Sequence, residues 1–210
     1  MKRKAIGFYW TLPAPWAGFT DIGKGDVDEA ARRSRTIRYQ REACRRHARE
    51  HGLDLIHEVA FLETEPDRGT EFIRGPLEQI APLCRDQHAR VLYVDFKVLE
   101  GWRRNDALHA EATRLGLRLD PVWPRDLPLD DGPYDPAEHF SAWRHDHQRW
   151  MADKPARAAT ARTRALDLAA TGAKNPAIAA TLNAEGLPTP TGKEWTADAL
   201  RKFLALPTNS

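Results

Sequence analysis

Residues 89–96 read ARVLYVDF, the strongest strand-like run in the chain. Its uninterrupted apolar stretch, Val91 to Val94, is typical of a strand buried on both faces of a sheet. Further strand-like runs lie at residues 5–10 (AIGFYW), 53–62 (LDLIHEVAFL) and 117–123 (LRLDPVW). Helical spacing of apolar residues separates them over 29–51, 72–87 and 103–115. Strands that alternate with helices in this way predict an α/β fold, a parallel sheet with helices on both faces.

Charge is distributed unevenly along the 210 residues. The chain has 32 Lys and Arg against 30 Asp and Glu, a net charge of +2. From Lys154 onward there are eight basic and four acidic residues, so this tail carries +4 and residues 1–153 carry −2. A basic tail on a slightly acidic body favours a polyanion-binding module. Cys44 and Cys84 are too few for a disulfide framework and predict buried thiols in a reducing compartment.

A Pro- and Asp-rich break at residues 124–139 ends the α/β pattern. A helix rich in Trp, His and Arg follows to about residue 152, and a basic linker occupies 154–157. We therefore predict an α/β domain at 1–135, a connecting helix and linker at 136–158, and an all-α domain at 159–210. The sequence has no apolar run long enough to span a bilayer, so we expect a cytoplasmic protein.

The last quarter of the chain contains three helical segments separated by strong stop signals. The first ends at Thr171-Gly172, the second begins at Asn175-Pro176, and the third follows the N-cap residue Thr196. Ile178, Leu182, Trp195, Leu200 and Phe203 are positioned to form a small core. Three helices with a basic last helix predict a helix-turn-helix that enters a major groove.

The same segment resembles the DNA-binding domain of serine site-specific recombinases, the resolvase and invertase family. The resemblance rests on Leu182-Asn183 and Gly186 in the turn, then Gly192 and Trp195-Thr196 before the recognition helix. The N-terminal part is also similar to that family. Thr36-Ile37-Arg38-Tyr39-Gln40 matches its first helix, and Gly69 followed by Arg74 matches its serine-glycine loop and second helix. The resemblance implies a resolvase-like fold, DNA as partner, and a bacterial nucleoid or mobile-element setting.

The catalytic residues of that family are largely replaced. An active member ends its first strand in Tyr-x-Arg-x-Ser, and the serine attacks a phosphodiester while arginines neutralise the charge on the phosphate. The resemblance assigns these three positions to Phe8, Trp10 and Leu12. The Asp-Arg-x-Gly-Arg motif corresponds to residues 98–102, where only Gly101 is kept, with Arg103 and Arg104 just beyond. Arg74 is the one matched catalytic arginine, so we predict an inactive copy.

Two hydroxyl groups could substitute for the missing serine. Thr11 adjoins the nucleophile position, but alternation along a strand predicts that its side chain faces the other way. Ser34 lies among Arg32, Arg33 and Arg35, so it is either a nucleophile in a basic setting or the N-cap of a helix. The run His145-Asp146-His147 reads as a surface helix rather than a metal site. We predict no cofactor and no metal.

The leading hypothesis is a regulatory or site-binding protein of the serine recombinase family that binds DNA and lacks catalysis. The alternatives are an active recombinase with a rearranged site, and an α/β domain that binds a small ligand at its strand ends. A stripe of Phe140, Trp143 and Trp150 predicts internal packing or a weak homodimer, and a related recombinase is a further possible partner. The predicted DNA contacts are Arg157, Arg162, Arg164, Lys193, Trp195, Thr196, Asp198, Arg201 and Lys202.

Overall fold

The computed structural model describes residues 2–23, 26–63, 70–99 and 106–206, with the backbone alone for residues 70–72. The chain divides into two compact units. The first is Met1–Ala14 with Gly18–Trp143, and the second is Pro15–Ala17 with Arg144–Ser210. Within the described ranges, none of the helices combines the length and apolar composition needed to cross a lipid bilayer.

The first unit is built on a four-stranded parallel sheet with the strand order β2-β1-β3-β4. Its strands are β1 (Lys4–Thr11), β2 (Asp54–Leu62), β3 (Arg90–Val94) and β4 (Leu119–Val122). Val91 to Val94 of β3 are all buried, which agrees with the burial on both faces that the sequence predicts. The predicted α/β class and parallel sheet are therefore confirmed.

Helices α1 (Val27–Arg33), α2 (Arg35–Glu50), α3 (Thr70–Gln87) and α4 (Asp106–Arg114) complete this layer structure. Alternate residues of β1 enter two separate cores, since side chains alternate across a strand. Ala5 and Tyr9 pack with Ile37 and other residues of α1 and α2. Ile6, Phe8 and Trp10 pack with residues of α3 and with Leu108 of α4.

The two cysteines are free and buried, as predicted. Cys44 lies in the α2 core and Cys84 in the α3 core. Burial raises the pKa of the Cys44 thiol, and it raises the pKa of Cys84 to about 11. Both side chains therefore act as small apolar groups at neutral pH.

Two segments of the first unit differ from the sequence prediction. The helix expected over 29–51 is interrupted at Ser34, whose backbone is extended (φ −125°, ψ 117°) and whose side chain starts a new helix. The break at 124–139 contains a β-hairpin, β5 (Leu127–Leu129) paired with β6 (Gly132–Tyr134). Alternation places Leu127 and Leu129 in the core with Pro128 outside, a pattern that the Pro-rich composition concealed.

The second unit is helical. Helix α5 (Pro136–Ala152) crosses the boundary between the units, and α6 (Lys154–Ala170), α7 (Asn175–Ala184) and α8 (Ala197–Ala205) follow. The predicted linker at 154–157 is instead the first turn of α6, because Pro155 occupies an N-terminal position where its missing N–H costs nothing. Ala161, Ala165, Ile178, Leu182, Trp195 and Leu200 form the core of this unit.

Candidate functional site

The carboxyl edge of the sheet contains the point where β1 separates from β3. β1 pairs with β3 only from Ala5 to Gly7, while it pairs with β2 along its whole length. β2 lies on one side of β1 and β3 on the other, so the strand order reverses at β1. Open α/β sheets bind ligands at the carboxyl ends of the strands where the order reverses. A catalytic group of the first unit is expected here.

Gln40 of α2 replaces β3 as the partner of the end of β1. Its Nε2 donates to the carbonyl of Trp10 at 2.6 Å, and the Trp10 N–H donates to its Oε1 at 3.3 Å. The side chain is fully buried. This role of Gln40 is not predicted from the sequence, although Gln40 lies three residues after Ile37 and four before Cys44, on the buried stripe of α2.

Aromatic rings fill the space beside the last residues of β1. Trp10 is 9% exposed, and its ring centroid lies 6.2 Å from Phe8, 6.4 Å from Phe61 and 6.3 Å from Tyr93. The position that the resemblance assigns to a catalytic arginine is therefore part of an apolar core. Leu12 follows the strand and is half-buried, so the position of the nucleophile carries no hydroxyl.

The nearest hydroxyl, that of Thr11, is directed toward the main chain. Its Oγ1 donates to the carbonyl of Leu12 at 3.5 Å, and the side chain is buried. Two acidic residues follow the neighbouring strands: Glu63 after β2 and Asp95 after β3, 4% and 6% exposed. The Asp95 carboxylate pairs with Lys97 at 2.9 Å and accepts from the Lys97 N–H at 3.2 Å. Neither residue is among those predicted from the sequence, although each directly follows an apolar run.

Ser34 serves as the N-cap of α2. Its Oγ accepts from the Ile37 N–H at 3.2 Å, and the residue is 5% exposed. The flanking guanidinium groups are paired with carboxylates, Arg33 with Asp21 and Arg35 with Asp131. Two of the three arginines around this hydroxyl are thus engaged by neighbouring acids.

Arg74 is held by an ion-pair network between α3 and α4. Its guanidinium donates to Glu111 at 3.0 Å, and Arg114 donates to the same carboxylate at 2.6 Å and to Glu78 at 2.7 Å. These hydrogen bonds, first from Arg74 and then from Arg114, lower the pKa of Glu111. The hydrogen bond that Arg74 donates to Glu111 raises the pKa of Arg74. The Arg74 side chain is 46% exposed.

Several residues of the predicted site lie outside the described part of the chain. They are Gly69, Glu100, Gly101, Trp102, Arg103 and Arg104. Val98, at the start of the matched loop, is 52% exposed. Among the described residues, no group of three or more His, Cys, Asp or Glu side chains could hold a metal ion.

In the second unit, Asn183 of α7 organises the connection to α8. Its side chain accepts from the Trp195 N–H at 2.8 Å and donates to the Trp195 carbonyl at 3.0 Å. The indole N–H of Trp195 donates to the carbonyl of Leu187 at 2.7 Å, and Trp195 is 4% exposed. Trp195 therefore belongs to the core of the second unit, and its contact with DNA stays a prediction.

The three arginines predicted to contact phosphates have partners within the second unit. Arg162 donates to the carbonyls of Phe203 at 2.7 Å and Leu204 at 3.3 Å, at the end of α8. Arg164 forms an ion pair with Glu185, where α7 ends. The Arg157 guanidinium lies 4.1 Å from the centroid of the Trp150 ring. These contacts tie α6 to its neighbours within the second unit, and the contact of the three residues with DNA stays a prediction.

The other predicted DNA contacts lie around the start of α8. Thr196 caps the helix, since its Oγ1 accepts from the Ala199 N–H at 3.1 Å. Asp198 pairs with Arg201 at 2.6 Å and with Lys202 at 2.7 Å, and these bonds, Lys202 first, lower its pKa. Lys193 is exposed just before the helix, and its ammonium group has no partner among the described residues.

This chain thus combines an α/β unit with a parallel sheet and a compact unit built around three helices. Residues 155–208, which cover nearly all of α6 and the whole of α7 and α8, match the family model described as Recombinase. The match supports a link between this segment and the recombinase family. No curated protein and no solved structure gives a significant match to the chain.

Proposed function

We propose that the chain is a DNA-binding protein of the serine recombinase type whose α/β unit performs no strand exchange. The observation that carries the proposal is the match to the Recombinase family over residues 155–208, the segment that also holds the basic excess of the chain. Residues 1–135 would have a regulatory or assembly role, residues 136–158 would connect, and residues 159–210 would hold DNA.

In this proposal α7 and α8 form the helix-turn-helix, and α8 is the recognition helix. Residues 185–196 separate the two helices. This connection is longer than the three or four residues of the common motif. The bonds of Asn183 and Trp195 keep it folded against the core. Lys193 and Lys202 would meet phosphates, and Asp198 would accept from a base edge in the major groove.

The test is the affinity of the full chain for duplex DNA as a function of salt. We expect affinity to fall as salt rises, because each phosphate contact releases counterions and contributes about 0.9 to the log–log slope. Lys193→Gln should lower that slope by about 0.9. Arg32→Gln, which removes an exposed charge from α1 of the other unit, is the matched control. The proposal would be contradicted if the chain did not bind duplex DNA, or if its affinity for duplex DNA did not change with salt concentration.

Sequence preference provides a second test. Asp198→Asn removes the acceptor charge and releases Arg201 and Lys202 from their ion pairs. We expect tighter binding to all duplexes together with a changed preferred base, which selection from a randomised duplex pool measures. If the preferred sequence is unchanged, Asp198 does not face the bases.

The proposed loss of catalysis rests on the residues at the end of β1 and on Arg74. Leu12 supplies no hydroxyl, Trp10 is packed among Phe8, Phe61 and Tyr93, and Arg74 is engaged by Glu111. Serine-based phosphoryl transfer needs a hydroxyl and several fixed positive charges around one phosphate. Among the described residues at this edge, the Thr11 hydroxyl donates to the Leu12 carbonyl and Arg74 is the one matched catalytic arginine, which supports a loss of catalysis.

A further inference from the structure

A cluster of basic residues lies at the amino-terminal edge of the sheet, opposite the carboxyl edge described above. β1, β3 and β4 are adjacent and parallel, so the residues that precede or begin each of them meet at one edge. They border an open cleft of about 350 Å³, within the size range of ligand sites. Its lining consists of Lys2, Arg3, Lys4, Asp86, Gln87, His88, Arg90 and Arg118.

Positive charge in this cleft is only partly compensated. Arg90 is paired with Asp120 at 2.8 Å, and Lys4 donates to the neutral amide of Gln87. The side chains of Lys2, Arg3 and Arg118 are exposed and have no partner among the described residues. Asp86 is the single acid in the lining. A concave surface with charges of one sign concentrates its field and attracts counter-ions.

The turn that enters β3 supports a role for this cleft. Three helix-to-strand turns precede β2, β3 and β4, and each has a residue with positive φ: Gly52 at 62°, His88 at 50° and Gly116 at 68°. Glycine adopts this conformation without steric cost, whereas a side chain there is disfavoured. Of these three positive-φ residues, His88 alone has a side chain, and His88 lines the cleft.

We propose that this cleft binds adjacent phosphate groups of a phosphate chain. Guanidinium and ammonium groups are the usual protein partners of phosphate oxygens. The lining contains no Phe, Tyr or Trp on which a base could stack, which favours recognition of phosphates alone. Two sources share this chemistry, a free oligophosphate and a nucleic-acid backbone.

A purely structural role for these cations makes a different prediction. Helix α3 ends at Gln87, and cations near a helix C-terminus stabilise it. If the cleft served only that purpose, removing its charges would lower the melting temperature and leave anion binding unchanged. The affinity for triphosphate therefore distinguishes a binding role from a purely structural one.

The experiment measures the affinity of the full chain for inorganic triphosphate by calorimetry at low salt. The test variant is Arg3→Gln with Arg118→Gln, and the control is Arg32→Gln with Arg49→Gln, which removes two exposed charges elsewhere in the same unit. We expect the test variant to lose at least about tenfold in affinity and the control less than about twofold. Absence of triphosphate binding, or equal losses in the two variants, would overturn the proposal.

The affinity of the same variants for duplex DNA distinguishes the two sources of phosphate groups. If the test variant also binds DNA about tenfold more weakly, the cleft holds a nucleic-acid backbone; if DNA affinity is unchanged, it holds a free oligophosphate. The cleft lies wholly in the first unit, so this inference does not depend on the DNA-binding function proposed for the second. Lys193→Gln should leave triphosphate affinity unchanged, and a loss there would place the triphosphate site in the second unit and overturn the proposal.

Discussion

Gln40 shows how one buried amide can take the place of a strand. It hydrogen-bonds both backbone groups of Trp10 at the point where β3 no longer pairs with β1. Gln40→Ala would leave a buried N–H and a buried carbonyl without partners and create a cavity. We expect the free energy of unfolding to fall by about 2–4 kcal/mol, measured by urea denaturation.

A matched substitution on the same helix checks this prediction. Arg49 lies on the exposed face of α2, and Arg49→Ala should change the free energy of unfolding by less than about 0.5 kcal/mol. A Gln40→Ala variant as stable as this control would show that water or another group satisfies the end of β1.

Glu111 makes stability depend on pH. Its pKa is lowered by hydrogen bonds from Arg74 and Arg114, so its carboxylate stabilises the fold at pH values above its ordinary pKa of 4.5. This stabilisation is lost as pH falls through the lowered folded-state value. Glu111→Gln should therefore narrow the difference in melting temperature between about pH 6 and about pH 3. If the difference in melting temperature were unchanged, the ion pairs of Glu111 would contribute nothing to the pH dependence of stability.

At the scale of elements, arginine side chains connect the helices of the second unit. Arg162 binds the last carbonyls of α8 and stacks 4.7 Å from the Phe203 ring centroid. Arg162→Ala removes these partners from a helix C-terminus. We expect the unit to lose about 1–2 kcal/mol of stability by thermal unfolding, with no change in the salt slope of DNA binding.

Arg162→Lys separates the structural role from a phosphate contact. Lysine keeps the charge but lacks the planar fork that reaches two carbonyls, so stability should recover only in part. If Arg162→Ala instead lowers the salt slope by about 0.9 and leaves thermal unfolding unchanged, Arg162 contacts phosphate as the sequence predicted.

At the scale of the whole molecule, catalysis requires groups from several elements to converge. Leu12→Ser restores a hydroxyl, but Trp10 remains in the aromatic core and Arg74 remains bound to Glu111. We therefore expect no nicking of supercoiled plasmid and no covalent protein–DNA adduct. Nicked circles or an adduct would show that arginines assemble around position 12 in another arrangement.

The candidate site was predictable where a residue's role depends on its neighbours in the chain. The local sequence predicts Thr196 as an N-cap and offers the N-cap role as one of two alternatives for Ser34. It also predicts the apolar end of β1. Gln40, Glu63 and Asp95 were missed. Their roles depend on residues far along the chain, such as the 30 positions between Gln40 and Trp10.

The sequence by itself determined the four strands, their parallel arrangement and the faces of α2 and α3, because hydrophobic periodicity records burial at each position. It also determined three helices in the last quarter, through caps, proline and glycine. Tertiary structure alone decided which charges are free. Arg162 and Arg164 look identical to exposed arginines in the sequence, and only folding brings them to the ends of α8 and α7. The same folding gathers basic residues from three strand starts into one cleft, because parallel strands share an edge whatever their separation in the chain.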